Sequence, residues 1–343
     1  MNTQMITVAG PIESALTHFA GLGLASILEA AGAEPVMLGW TDEADPRLQL
    51  EVPCGEQEIK SVLSEHVGAL DSPDSWIHAQ IVHEGREGTG LFSPRLKEPK
   101  SRESWQNLDE ERLKVIDGLL SRGDLLSLDM IGGLGRPAYW RFDRTGKEGR
   151  PDQGASRWEM KARNRGDEFL GNRFSPMLKA MSARSGEEIL AGLTGGLCRD
   201  DLDSKSGSQS ATGLQRPGPV DTALAWCGLW GIASFPVTHS GQQPSRTPGA
   251  FPQGRDWPTS MCLPVTLRKV TLARMRNLLE SEALSVVGGA ASDGVAEIAA
   301  RDWLAELGAV ALIHFPIERR GSDSAPQRIV LDGEVDVLQG RKI

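Results

Sequence analysis

Asp200, Asp201 and Asp203 place three carboxylates within four positions, directly after Arg199. Carboxylates at this spacing can hold Mg²⁺ for phosphoryl chemistry when further ligands arrive from elsewhere in the chain. His78 and His83, with Glu84 adjacent, are the candidates for that role. Five residues apart, the two imidazoles point to different faces of either a helix or a strand, so a shared metal needs a turn between them. The acidic knot also runs straight into Ser204 to Pro219, a Ser/Gly-rich stretch, which makes a solvated loop its simpler reading. Taken together these residues define an alternative function, a metal-dependent hydrolase or nuclease using His78, His83 and Asp200 to Asp203. Cys54, Cys198, Cys227 and Cys262 lie far apart with no Cys-x-x-Cys, so buried, inert thiols are expected. There is no Walker A, no His-Glu-x-x-His and no Gly-x-Ser-x-Gly. Gly132, Gly133 and Gly135 lack the following Gly-Lys-Ser of a phosphate cradle and read as a turn. No catalytic residue, metal or cofactor is assigned on these grounds.

A different chemistry runs from Ser156 to Arg184. Arg157, Lys161, Arg163, Arg165, Arg173, Lys179 and Arg184 face only Glu159, Asp167 and Glu168, in a chain of net charge -9. Trp158, Asn164, Phe169, Asn172 and Phe174 are interleaved with them. Cations mixed with amides and aromatics suit contact with a phosphate backbone. The competing reading is a solvated face paired with acidic neighbours. If residues 157 to 165 are extended, Lys161, Arg163 and Arg165 share one face and can follow a backbone. Arg141, Arg144, Lys147 and Arg150 add positive charge upstream, and Arg268, Lys269, Arg274 and Arg276 form a second basic group downstream. The candidate nucleic-acid-binding set is therefore Arg157, Lys161, Arg163, Asn164, Arg165, Arg173, Lys179, Arg268, Lys269, Arg274 and Arg276.

These groups must be held by elements that the hydrophobic pattern outlines. Met5 to Val8 reads as a strand closed by Ala9-Gly10-Pro11. Ile12, Leu16, Phe19, Leu22, Ile27 and Ala30 recur at helical spacing, with Gly32 as a stop. Gly21 and Gly23 inside that helix each cost roughly 1 kcal/mol relative to Ala, which argues for close packing against a neighbour. Val36 to Trp40 and the alternating Leu48, Leu50 and Val52 read as strands, and Gly55 to Leu70 as a helix. The order β-α-β-β-α is most of a ferredoxin-like unit, a fold that hosts many functions, RNA binding among them. Residues 84 to 104 read as a loop, basic towards its end. Leu108 to Leu120, Gly186 to Leu193 and Val220 to Ile232 read as helices, the last with Trp226 and Trp230 on one face. Tyr139 to Phe142 and Val265 to Val270 read as strands, followed by a helix from Thr271 to Ser285. Asp302 to Leu307 is expected to be helical, Val310 to Phe315 a strand, and Ile329 to Leu338 a last alternating segment. The expected class is α+β: the ferredoxin-like unit within a larger irregular body. The expected division is 1–203, carrying the basic island, then a linker or surface loop at 204–219, then an α+β region at 220–343.

With 343 residues and 39% hydrophobic content the chain can bury one large core or two medium ones. Nine Trp, 39 Gly and 20 Pro point to many turns anchored by large aromatics. No apolar run approaches the ~20 residues of a membrane span, and Met1-Asn-Thr-Gln-Met lacks the positive start of a signal peptide. A cytoplasmic location without membrane contact is expected.

Several segments also resemble a known family. Ala9-Gly-Pro-Ile-Glu-Ser-Ala-Leu with Gly21-Leu-Gly-Leu, followed by Met37-Leu-Gly-Trp40, is similar to the start of subunits from type I-G (formerly I-U) CRISPR effector loci. Asp221 to Pro236, then Arg255-Asp-Trp-Pro258 and Leu263-Pro-Val-Thr-Leu267, resemble the same chains further on. Gly-Pro-Ile-Glu-Ser replaces the more usual polar-Pro-Leu opening, and the central third carries no matching segment. The resemblance implies a non-catalytic subunit of an RNA-guided surveillance complex (Cascade) in antiviral defence. Such complexes delegate sequence reading to a guide while protein subunits hold the backbone and recruit a nuclease. The partners it implies are other effector subunits, crRNA or target DNA, and a helicase-nuclease. A third reading, a structural bridge whose basic island meets an acidic protein, is separated from this one by salt-sensitive binding to protein but not to nucleic acid.

Overall fold

The computed structural model describes residues 3–94, 96, 99–136, 154–160, 169–202, 210–239, 245–253, 257–289, 294–322 and 325–338. Strand β1 (Gln4–Thr7) leads into helix α1 (Ala15–Ala30), then β2 (Met37–Trp40), β3 (Leu48–Val52) and α2 (Glu56–Asp71). This is the β-α-β-β-α order read from the sequence. All pairs are antiparallel and β3 lies between β1 and β2, the arrangement of three strands in a ferredoxin-like unit. In β3 the alternation is clean, with Leu48, Leu50 and Val52 buried and Gln49 and Glu51 partly exposed.

The chain continues through the hairpin β4 (Gln80–His83) and β5 (Arg86–Gly90). Helices α3 (Arg102–Arg122), α4 (Leu125–Leu134), α5 (Ser175–Ser182), α6 (Gly186–Thr194) and α7 (Thr222–Trp230) follow. Next come β6 (Ala250–Phe251), β7 (Ser260–Val265), β8 (Val270–Thr271), α8 (Leu272–Glu280), α9 (Glu282–Gly288) and α10 (Gly294–Glu306). Strands β9 (Ala311–Ser322), β10 (Ala325–Val330) and β11 (Glu334–Val337) end the fold. The second sheet runs β10-β9-β7-β6, with β11 also on β9.

Helix α1 is the centre of the molecule. Every residue from Ala15 to Leu28 is buried, because β3 covers one side and α7 another. The two glycines read as packing contacts meet those neighbours. A Cβ at Gly21 would overlap Leu48, and one at Gly23 would overlap the Cys227 carbonyl. Gly228 and Gly231 face back onto Leu16 and the Phe19 carbonyl, so small residues on both helices bring the backbones together. Regions 1–203 and 220–343 share this core, and β8 from the second extends the first sheet by pairing with β2. Residues 204–209, the start of the expected linker, lie outside the described residues.

Several elements differ from the expectation. Residues 86–90 form a strand, because Glu84 and Gly85 adopt positive φ (49° and 75°) and close a tight hairpin. Helix α4 runs through Gly132 and Gly133 without breaking. Gly133 packs against the Ile232 carbonyl, where a side chain would not fit. The strand expected at 265–270 is displaced to 260–265, and the helix expected from Thr271 to Ser285 divides at Ser281, whose hydroxyl caps α9 by accepting from Ala283 N. The segment from Ile329 to Leu338 is two separate strands. The strand expected at 139–142 lies outside the described residues.

Candidate nucleic-acid interface

The structure sorts the eleven candidate residues into three groups. Lys161, Arg163, Asn164 and Arg165 lie outside the described residues. Arg157 and Arg173 are buried, at 4% and 5% exposure, and correct the picture of an open basic face. The Arg157 guanidinium lies over the Trp257 ring at 4.8 Å, with Arg328 over the same ring at 3.7 Å. Arg173 donates to the Thr212 carbonyl at 2.9 Å and stands 3.9 Å from Glu159. Such guanidinia hold the body together and do not present themselves to a phosphate in this conformation. Their aromatic companions are equally internal: Trp158, Phe169 and Phe174 are all buried. Sequence composition alone cannot separate an arginine that stacks inside from one that projects into water.

The remaining candidates lie nearer the surface. Lys179 and Arg268 are exposed and Lys269 is half-buried against Gly39. Arg274 is exposed, with Nε donating to the Leu307 carbonyl at 2.9 Å. Arg276 is committed to structure: it pairs with Asp129 at 2.8 Å and donates to Ser26 Oγ at 3.4 Å, tying α8 to α4 and α1.

Arg184, the last cation of the island, forms a buried lock. Nη1 meets Asp221 Oδ1 at 2.8 Å, Nε meets Asp201 Oδ2 at 2.8 Å, and Nη2 donates to the Arg199 carbonyl at 2.6 Å. Asp221 also caps α7 by accepting from Ala223 N, and its other oxygen accepts from Arg199 N. The acidic knot is therefore drawn into arginine contacts: Asp201 pairs with both Arg184 and Arg199, while Asp200 accepts from Leu202 N. Asp203 lies outside the described residues. His78 ends a short 3₁₀ turn and His83 is buried at the end of β4. Among the described residues no three His, Cys, Asp or Glu side chains gather to hold a metal. Cys54, Cys227 and Cys262 are buried and free, and burial pushes the Cys262 thiol up to about 12. Cys198 differs from the expectation in being exposed.

Sequence reading passed over a second basic constellation. Arg112 on α3, Arg136 just past α4 and His239 come from three separate stretches and meet near the C-terminal end of α4. One signal was present. Trp105, Leu108, Arg112 and Leu119 share the buried face of α3, so a charge occupied an apolar position.

Comparison with protein-family models, with curated proteins and with solved structures finds no match to this chain. Among the described residues no helix is long and apolar enough to cross a membrane.

Proposed function

We propose that this chain is a non-catalytic subunit of a type I CRISPR RNA-guided surveillance complex, contacting guide RNA or target DNA backbone and partner subunits. One observation carries the reading. The resembling segments that the described residues cover in full are far apart in sequence and adjacent in the fold. Ala9 to Trp40 supplies α1 and β2, and Asp221 to Pro236 supplies α7, which packs on α1 through Gly23 and Gly231. Leu263 to Leu267 leads alongside β2, where Trp40 N donates to the Thr266 carbonyl at 2.8 Å. The resemblance thus traces one packed core.

Surface chemistry agrees with a life in an assembly. Helix α10 buries only Ala300 and Leu304 and leaves Val295, Ile298 and Trp303 more than half exposed. Val335 and Val337 are exposed on β11. These exposed apolar side chains are available to a partner surface.

The basic island provides the test. Lys161→Glu, Arg163→Glu and Arg165→Glu together should weaken binding of single-stranded RNA or DNA at least tenfold at low salt, with an unchanged melting temperature. Unchanged affinity in that triple variant removes these residues from the interface.

A further inference from the structure

Between β2 of the first sheet and β7 of the second the core leaves a crevice. Leucines from five elements line it: Leu22 on α1, Leu38 on β2, Leu48 on β3, Leu263 on β7 and Leu279 on α8. Met275 and the Trp40 ring add to this apolar wall. The space is about 340 Å³, counting the part open to solvent. That lies near the lower end of the roughly 300–1,000 Å³ range of small-molecule sites, room for a small aromatic ring system. None of the candidate cations lines it.

One ionisable side chain stands in this wall. His18 is 6% exposed, and its ring packs on Trp40 and Phe315, with centres 4.6 and 5.5 Å away. Nε2 donates to the Ile12 carbonyl at 2.8 Å. A carbonyl only accepts, so the proton sits on Nε2 and Nδ1 carries a lone pair. Among the described residues Nδ1 has no hydrogen-bond partner. Burial lowers the His18 pKa to about 4, so the ring is neutral and Nδ1 an acceptor at neutral pH. An acceptor left unpaired beside an apolar wall carries a desolvation cost that a ligand's donor removes. Water suits the crevice poorly, since it needs about two to four polar partners and the side chains supply one. A flat ring with a single O–H or N–H matches both features: its faces meet the leucines and Trp40, and its donor meets Nδ1.

We propose that this crevice binds a small aromatic molecule carrying one hydrogen-bond donor, a phenol or an indole, with the donor on His18 Nδ1. The site goes beyond the nucleic-acid reading above and stands independently of it. Its selectivity comes from the hydrogen bond. An analogue of the same shape without the donor leaves Nδ1 unpaired and forfeits the gain.

The test is NMR of the full chain labelled at its methionine methyl groups, with the Met275 signal assigned through Met275→Leu. Phenol should shift that signal and saturate in the millimolar range, as expected of so small a ligand. Toluene, the same shape with a methyl in place of the hydroxyl, should bind about tenfold more weakly. His18→Phe keeps a ring against Trp40 and Phe315 and removes the acceptor, so it should abolish the preference for phenol. The phenol–toluene comparison uses the unaltered chain and decides the matter even where that variant fails to fold. Absence of a phenol shift at Met275 overturns the site, and equal affinities for phenol and toluene overturn the role of Nδ1.

Discussion

Arg184 and His66 show how much of the residue-scale chemistry is spent on holding the body together. The Arg184 lock satisfies its carboxylates and two backbone groups at once. Arg184→Met would strand Asp221 in the interior, where an uncompensated charge costs about 3–5 kcal/mol. Urea unfolding should register a loss of that size, and a loss below about 1 kcal/mol would mean that the lock is replaceable. His66 sits against Trp226 and Trp230, ring centres 6.2 and 4.7 Å away, with Nε2 buried and without a partner among the described residues. Burial lowers its pKa to about 3, and lowers that of His18 to about 4 despite the bond to the Ile12 carbonyl. The unfolded chain then binds protons near the ordinary value of 6.5 that the folded chain refuses. Stability from these groups is complete above pH 6.5 and is lost as pH falls towards the folded values. The urea midpoint should therefore drop between pH 6.5 and 4, and His66→Phe should flatten that drop while retaining the aromatic packing. An equal pH dependence in the variant would show that His66 does not carry it. Arg184 carries no signal of its burial in sequence, whereas His66 falls at helical spacing on the apolar face of α2 with Ile59, Leu63 and Val67.

At the scale of elements much more could be read. The β-α-β-β-α start was visible because Leu48, Leu50 and Val52 alternate and Ile12, Leu16 and Phe19 step at helical spacing. Gly21 and Gly23 announced a close approach, since glycine within a helix is costly unless something needs the space. That makes a paired prediction. Gly23→Ala should lower the melting temperature by several degrees, because its Cβ meets the Cys227 carbonyl and the Gly231 amide of a neighbouring helix. Gly68→Ala, on α2 with nothing within 4 Å, should raise stability by about 0.5–1 kcal/mol. The reverse ordering in thermal melts would contradict the packing of α1 on α7. What escaped reading was decided by contacts between distant segments. Gly132 and Gly133 read as a break, yet α4 continues because Gly133 has the Ile232 carbonyl to lean on. The hairpin at residues 80–90 escaped because its turn uses Glu84 at positive φ, where Asn or Asp would have signalled it.

Over the whole molecule, one core joins the two regions, and the surface keeps apolar and basic patches that the core does not use. The candidate site was half legible: a basic island is conspicuous in an acidic chain, but Arg157, Arg173 and Arg184 proved internal, and the Arg112–Arg136–His239 corner assembles only on folding. Ile298→Ser with Trp303→Ser should leave stability within about 0.5 kcal/mol and reduce recovery of partner subunits, as expected of surface groups. The most direct test of the central claim is purification of the tagged chain from cells that also express its neighbouring genes and a CRISPR array, followed by extraction of bound RNA. The account predicts partner subunits together with a discrete guide of about 60 nucleotides, as guide-delegated recognition requires. A clean monomer without RNA or partners would contradict it.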